Sequence, residues 1–336
     1  MGYSRDGPGW PIAPPSATSY SPPMERLTCD RPVPGHLRGG VVALGNFDGF
    51  HRGHQAVVGA AVANARATGR PVLVASFDPH PVRYFHPNTP PFRLTSLDQR
   101  AELFAQAGAD AMLVFSFNDL LANVSAAEFV SDWLIGRAGA AHVVTGQDFT
   151  FGKGRAGNVA VLAQLGAAHG MTAQAIAPVS DAKGPISSSR IREALVAGDP
   201  AEATRLLTRP YRIQGDVQHG DKLGRTIGFP TANIAMDRYL RPRYGIYAVR
   251  GLLPDGRVLD GAANLGVRPT FDPPKELLEA HFFDFAESLY GQCIEIEMIA
   301  YLRPEARFDD LDALTAQMAL DCAEAKRILA GYPAKP

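Results

Sequence analysis

Cysteine, tryptophan and net charge are all scarce in this chain. Its 336 residues include 3 cysteines and 2 tryptophans, and 33 basic residues against 34 acidic ones leave a formal charge of -1. Cys29, Cys293 and Cys322 lie far apart and form no CxxC pair. That argues against a disulfide framework or a structural zinc site and fits a reducing, cytoplasmic setting. Near-neutral charge supplies no bulk attraction for nucleic acid or an anionic membrane, so neither is expected as a partner, and phosphate recognition has to be local. Long apolar runs are missing too. Residues 156–180 carry no Asp, Glu, Lys or Arg, yet Asn158, Gln164, His169, Thr172, Gln174 and Pro178 interrupt them. A spanning helix needs about 20 predominantly apolar residues. What remains is ordinary globular composition, 46% hydrophobic and 20% charged. At roughly 150 residues per domain, the length suggests two domains.

Residues 1–40 hold 14 Pro plus Gly. Such a segment buries too little apolar surface to offset its ordering entropy, and it has no apolar stretch of the kind a secretory signal needs. Residues 1–37 are therefore expected to form a disordered tail. Met24, followed by Glu25-Arg26-Leu27, is an alternative start of the chain.

The first half alternates strands and helices. Val41–Leu44, Pro71–Phe77, Ala111–Phe115, His142–Val144 and Ala173–Ala177 read as strands. Gln55–Ala67, Leu97–Gln106, Ser125–Ile135, Val159–Ala168 and Ser188–Ala197 read as helices. This order predicts a mostly parallel sheet with helices on both faces, and ligands bind such sheets beyond the carboxyl ends of the strands.

The strongest motif follows the first of these strands: Gly45-Asn46-Phe47-Asp48-Gly49-Phe50-His51-Arg52-Gly53-His54. Its glycines permit tight turns and close backbone approach to a ligand. The helix start beyond them favours phosphate. His51 and His54 stand one helical turn apart and can donate to one group of phosphate oxygens. The same pair could ligate a metal, but no cysteine or carboxylate set accompanies it. The segment has neither GxGxxG nor P-loop spacing. Gly146-Gln147-Asp148-Phe149-Thr150-Phe151-Gly152-Lys153 follows another strand of the same sheet. Ile186-Ser187-Ser188-Ser189-Arg190-Ile191-Arg192 opens a helix, where its hydroxyls can cap and its arginines can take phosphate. In Phe77-Asp78-Pro79-His80-Pro81, Asp78 and His80 either touch substrate or sit in a loop that the prolines shape.

These four segments together resemble the adenylyltransferase domain of the prokaryotic bifunctional riboflavin kinase/FAD synthetase family. The HxGH motif alone indicates only attack at a nucleotide α-phosphate. The resemblance implies a Rossmann-like α/β domain over residues 38–206. In it His51 and His54 stabilise ATP phosphates, Arg192 holds phosphate, and Gly45, Asn46, Phe47, Asp48, Gly53, Ser188 and Ser189 line the nucleotide site. It also places Asp78, His80 and Asp148 near the flavin. Asp148 stands where many members carry Asn, and a carboxylate cannot donate a hydrogen bond, so its role is open. Ser189 replaces a common Thr and keeps the hydroxyl.

From Pro210 the pattern becomes β-rich: Tyr211–Val217, Tyr247–Arg250, Val258–Ala262, Leu277–Phe285 and Cys293–Tyr301, punctuated by Gly and Pro. This suggests an antiparallel barrel or sandwich. Glu295 and Glu297 alternate with Ile294, Ile296 and Met298, as in a half-buried strand. Asp309–Leu329 reads as a long helix packed on the barrel. Residues 220–233, GDKLGRTIGFPTAN, combine a glycine-rich flap with Thr231 and Asn233 two apart. On a strand those two face one side and could share a Mg²⁺ with ATP phosphates, although T-x-N is usually plain polar surface. Glu279, among apolar neighbours in Leu278–Phe285, is a candidate base or a solvent-facing edge residue.

GDKLGRTIGFPTANI, YGIYAV, ANLGVRPTFD and LEAHFFDF resemble the riboflavin kinase domain of the same family. The resemblance implies a barrel over residues 207–336 that transfers the ATP γ-phosphate to riboflavin. Glu279 would be the general base, Thr231 and Asn233 the Mg-ATP ligands, and Gly220, Lys222 and Gly224 the phosphate loop. Arg303, in Leu302-Arg303-Pro304-Glu305, would lie near the flavin. FMN made there would be adenylated to FAD by the first domain. Two rivals stand beside this reading: another adenylyl or cytidylyl transferase with an added domain, and a flavin-binding protein with decayed sites. Loss of one of the two activities is a third. A homo-oligomer is left open.

Overall fold

The computed structural model describes residues 24–219, 229–268 and 275–332. The first half runs β1 (Glu25–Thr28), β2 (Gly40–Leu44), α1 (Arg52–Thr68), β3 (Val72–Asp78), α2 (Pro81–Phe85), α3 (Leu97–Gln106), β4 (Ala111–Ser116), α4 (Asp119–Ala122), α5 (Ala126–Glu128), β5 (Ala140–Gly146), α6 (Val159–Ala167) and β6 (Thr172–Ile176). The strands form one parallel sheet ordered β1-β4-β3-β2-β5-β6. Every residue of β2 is buried, as a central strand covered on both faces requires. Strand alternation sorts its side chains to two cores. Val42 and Leu44 join Leu73, Leu113 and Trp133 on one face, while Val41 and Ala43 meet Val58 and Val62 of α1 and Phe104 of α3 on the other.

The disorder expected of residues 1–37 is corrected for the part that is described. Residues 1–23 lie outside the described residues. From Glu25 onward β1 pairs with β4, and Cys29, Val33 and Leu37 are at most 5% exposed. Edge pairing and burial of three apolar side chains outweigh the entropy that the composition penalises. A second difference is local. The helix expected over Ser125–Ile135 begins with a Ser125/Glu128 capping box and continues as a π-helix, Phe129–Arg137. Its buried side chains, Phe129, Val130, Trp133 and Leu134, recur four apart. That spacing lines one face of the wider π turn.

The second half runs β7 (Ser180–Asp181), β8 (Gly184–Pro185), α7 (Ser188–Ala197), α8 (Pro200–Leu207), β9 (Tyr211–Asp216), β10 (Ala232–Ala235), β11 (Gly245–Leu252), β12 (Val258–Arg268), β13 (Lys275–Phe282), β14 (Cys293–Arg303) and α9 (Leu311–Ala330). Six antiparallel strands are ordered β10-β13-β12-β11-β14-β9. A Gln218–Asn233 bridge brings the outer two together, giving a nearly closed barrel. Ile213, Ile234, Val249, Leu265, Leu278 and Ile296 fill it. α9 covers part of its outside, where Ala325 and Leu329 meet Ala248, Ala262 and Ile299.

Two features join the halves. Ile191 and Leu195 of α7 and Ala203 and Leu206 of α8 belong to the barrel's core cluster. A division near residue 206 therefore marks the end of a helix, not the edge of the packing. In addition, the polar face of β14 is not solvent, which corrects the half-buried reading. Glu297 is 4% exposed. Arg212 pairs with Glu295 at 2.9 Å and Glu297 at 2.8 Å, and Gln99 of α3 donates to Glu295 at 2.8 Å.

Candidate active sites

The chain leaves β2 for β3 and β4 on one side and returns to β5 on the other. This makes the β2/β5 boundary the switch point where open parallel sheets bind ligands. The loops after β2 and β5 are the two glycine-rich motifs. Between β2 and α1 the backbone is forced: Gly49 has φ 85°, and even Phe47 and Phe50 have φ 50° and 45°. Such strain persists only where the surroundings fix it. The Phe47 ring lies under Gly45 and packs edge-on to His54 and Phe104. From the other half, the partly buried Arg209 donates to Gly49 O at 2.7 Å and Phe50 O at 3.2 Å. Burial lowers its pKa to about 10.

His51 caps α1. Its Nδ1 accepts from the amides of Gly53 at 3.1 Å and His54 at 3.4 Å, so the ring proton belongs on Nε2, where it can be donated. A Cβ at position 53 would stand 3.1 Å from the His51 ring, so glycine there keeps the cap open. The His54 ring stacks on His51 with centroids 3.6 Å apart. Burial lowers the His51 pKa to about 4 and, with His51 beside it, that of His54 well below the usual value. Both rings are neutral near pH 7, one donor each. The side-chain oxygen of Asn46 is buried close by in sequence and has no hydrogen-bond partner among the described residues.

Asp48 is held by protein partners. It is 2% exposed and accepts from the amides of Leu94 and Thr95, both at 3.0 Å. Arg192 donates to it at 2.7 Å, and Arg100, itself buried, lies 3.7 Å away. Ser188 Oγ donates to Asp48 O at 2.8 Å, which ties the head of α7 to the loop after β2. Ser189 is exposed. Arg100 also donates to Ser76 Oγ at 2.9 Å and Asn46 O at 3.3 Å. Neither Arg100 nor Arg209 stood out in the sequence, since nothing in a lone helical or linker arginine signals burial.

Asp78 pairs with Arg93 at 2.9 Å. His80 caps α2 and its ring meets Phe92 edge-on. Asp148, after β5, is exposed. The nearby Gly152-Lys153-Gly154-Arg155-Ala156-Gly157 does carry GxGxxG spacing. A Phe151–Gly157 bridge closes it into a loop before α6 begins, so it is not the strand-to-helix turn that such a fingerprint requires.

In the barrel, register aligns Asn233 with Glu279 and Glu279 with Asn264 across three strands. Directly opposed residues share a face. Leu278 and Ala280 point into the core, so this row points outward. Glu279 therefore faces amides on both sides rather than its apolar sequence neighbours. Asn233 is 4% exposed, and its buried Oδ1 has no hydrogen-bond partner among the described residues. Thr231 precedes β10 on the same side. Asn264 donates to Glu305 at 3.2 Å. Arg303 is engaged with Asp321 of α9 through two bonds of 2.8 and 2.6 Å. Gly220, Lys222 and Gly224 lie outside the described residues. Among the described residues, no group of three or more His, Cys, Asp or Glu could hold a metal ion, and no helix is long and apolar enough to cross a membrane.

Two family models match, FAD synthetase over residues 33–190 and riboflavin kinase over residues 207–329. The chain is 39% identical over 283 residues to the bifunctional riboflavin kinase/FMN adenylyltransferase of Escherichia coli, covering 84% of this chain and 90% of that one. It is also 39% identical to the Bacillus subtilis protein of the same description, covering 85% and 92%. A crystal structure described as a macrolide-efflux protein from Streptococcus pneumoniae superimposes with TM-score 0.80 at 29% identity, covering 92% of this chain and all of that one.

Proposed function

The chain belongs to the bifunctional riboflavin kinase/FMN adenylyltransferase family, and on that premise we propose that it converts riboflavin to FMN in the barrel and FMN to FAD in the parallel-sheet half. We assign the sheet half to residues 38–206 and the barrel to residues 207–336, with α7 and α8 serving the barrel's core. Three free cysteines among the described residues support a reducing, cytoplasmic setting.

For adenylyl transfer, the observation that carries the reading is the His51–His54 stack capping α1 at the switch point. An FMN phosphate oxygen bonds to the ATP α-phosphorus as the bond to pyrophosphate breaks. The attacking group is already an anion, so proton transfer has little to contribute. Orientation and charge stabilisation do the work. The neutral imidazoles donate to phosphate oxygens from fixed positions, helped by the amides and dipole of α1. Arg192, held by Asp48, presents its remaining guanidinium edge to phosphate. Asn46 Oδ1 is an acceptor for a ligand donor group. Asp148 lies on the loop facing this crevice and is assigned to the flavin side with Asp78 and His80.

For phosphorylation, the observation is the Asn233–Glu279–Asn264 row. Glu279 takes the proton of the ribityl 5′-hydroxyl as its oxygen attacks the γ-phosphorus and ADP leaves. A buried amide oxygen without a partner among the described residues, two positions from a threonine, suits a hard cation that prefers oxygen ligands. Asn233 and Thr231 would hold Mg²⁺, which neutralises phosphate charge when bound. Arg303 anchors the end of β14 to α9, beside the flavin.

Product analysis on the full chain tests this. Glu279→Ala should abolish FMN formation while FAD formation from supplied FMN continues. His54→Ala should do the reverse, by ~10²–10³-fold for one lost donor. A His54→Ala effect below about tenfold, or loss of both activities in either folded variant, would refute the two-site assignment.

A further inference from the structure

A half-open cleft between the two halves is lined by Asp48, His80, Arg83, Phe92, Arg93 and Arg238. Arg100 closes its inner wall. Arg238 comes from the barrel half, in the segment after β10. That segment is fixed against the first half by backbone bonds, Arg93 N to Arg238 O at 3.2 Å and Leu240 N to Arg93 O at 2.8 Å. The charges in the cleft do not balance. Asp78 answers Arg93, and Asp48 is shared between Arg100 and Arg192. Among the described residues, Arg83 donates only to the carbonyls of Pro87, Thr89 and Pro90. None of the described residues accepts a hydrogen bond from the exposed Arg238 guanidinium. Phe92 organises the wall: Arg83 and Arg192 lie over its ring at 5.4 and 5.2 Å, and His80 packs on its edge. Burial, with several arginines adding to it and Asp48 opposing, lowers the His80 pKa to about 4, so this ring does not add charge near neutral pH.

We propose that this cleft binds a phosphate dianion of an adenylyl-transfer substrate, and that Arg238 of the barrel half completes the site. Arg83 and Arg238, two guanidinium groups without carboxylate partners among the described residues, match two negative charges, and the fork of Arg238 suits bidentate phosphate contact. The cleft adjoins Arg192, so the anion is either the phosphate monoester of FMN or the phosphate chain of ATP. The consequence is that the adenylyl-transfer half is incomplete by itself, because the kinase half supplies one of its binding residues. This inference rests on the assignment of adenylyl transfer to the first half.

The test uses the full chain, with Arg238→Ala and Arg238→Lys beside the unaltered protein. The readouts are KM for FMN, KM for ATP and kcat of FAD formation, plus riboflavin phosphorylation and the thermal midpoint as checks on folding. Loss of a charge-assisted phosphate contact should raise one KM about tenfold or more in Arg238→Ala. Arg238→Lys, which keeps charge but not the fork, should recover only part of this. A raised KM for FMN assigns the monoester, and a raised KM for ATP assigns the nucleotide chain. In either case added salt should narrow the difference between Arg238→Ala and the unaltered protein. Both KM values within twofold of the unaltered protein would overturn the proposal, as would a parallel fall in both activities. If the unaltered protein makes no FAD from FMN and ATP, the assignment of function fails instead, and the cleft is then judged by FMN or ATP binding to the same variants.

Discussion

Asp48 is the perturbation that best separates a ligand contact from a scaffold. Replacing it with alanine removes the anion between Arg100 and Arg192. It leaves the Arg100 side chain, 2% exposed, without a counter-charge, and it strips the Leu94 and Thr95 amides of their acceptor. Removing one side of a buried ion pair typically costs ~3–5 kcal/mol. With a guanidinium chloride dependence of roughly 2–6 kcal/mol per molar, the midpoint should fall by on the order of 1 M. Trp133 suits the assay. It is 5% exposed within the first half's core, and the second of the 2 tryptophans, Trp10, lies outside the described residues. Asp48→Asn should fall between, because it keeps an acceptor for the amides but loses the charge. A destabilisation of Asp48→Ala below ~1 kcal/mol would mean that Asp48 is not structural, and the network drawn around it would be wrong.

Two further expectations concern pH and chain division. His51 titrates near 4 when folded, against an ordinary value near 6.5. The unfolded chain therefore binds more protons in that interval. The stability owed to neutral His51 is whole above about 6.5 and declines as pH falls toward 4, with His54 and His80 adding in the same direction. His51→Gln should flatten that part of a denaturation-versus-pH curve, and an unchanged slope would contradict the buried neutral cap. The rate of FAD formation at saturating substrate should show no titration near 6.5, since both imidazoles are already neutral there. As for division, Ile191, Leu195 and Leu206 are at most 1% exposed within the barrel's core, and each buried side chain of this size contributes ~1.5–3 kcal/mol. A fragment of residues 180–336 should unfold cooperatively in a thermal melt, whereas one starting at 208 should melt far lower or lack a transition. Equal midpoints would place α7 and α8 outside the barrel's stability.

Local chemistry was legible in residue order. Leu97–Gln106 and Val159–Ala167 follow their caps and apolar spacing, and the strand ending at Leu44 runs straight into the glycine turn that carries His51 and His54. These features depend on neighbours a few residues apart, whose constraints are written consecutively. The opposition of Asn233, Glu279 and Asn264 was not legible, because register between strands depends on how the barrel closes. Asp48 read as a site carboxylate. Only folding revealed that Arg192, 144 positions later, and Arg100 consume it. Glu295 and Glu297 read as a wet strand face, and only the docking of α3 and Arg212 dried it. The prolines and glycines around residue 33 read as disorder, because composition counts entropy but not the β4 edge waiting to pair with β1. Residue order thus determined which groups can bind phosphate and where helices and strands begin. The tertiary structure decided which of those groups are spent on one another and which remain free for a ligand, since burial and pairing are set by residues distant along the chain.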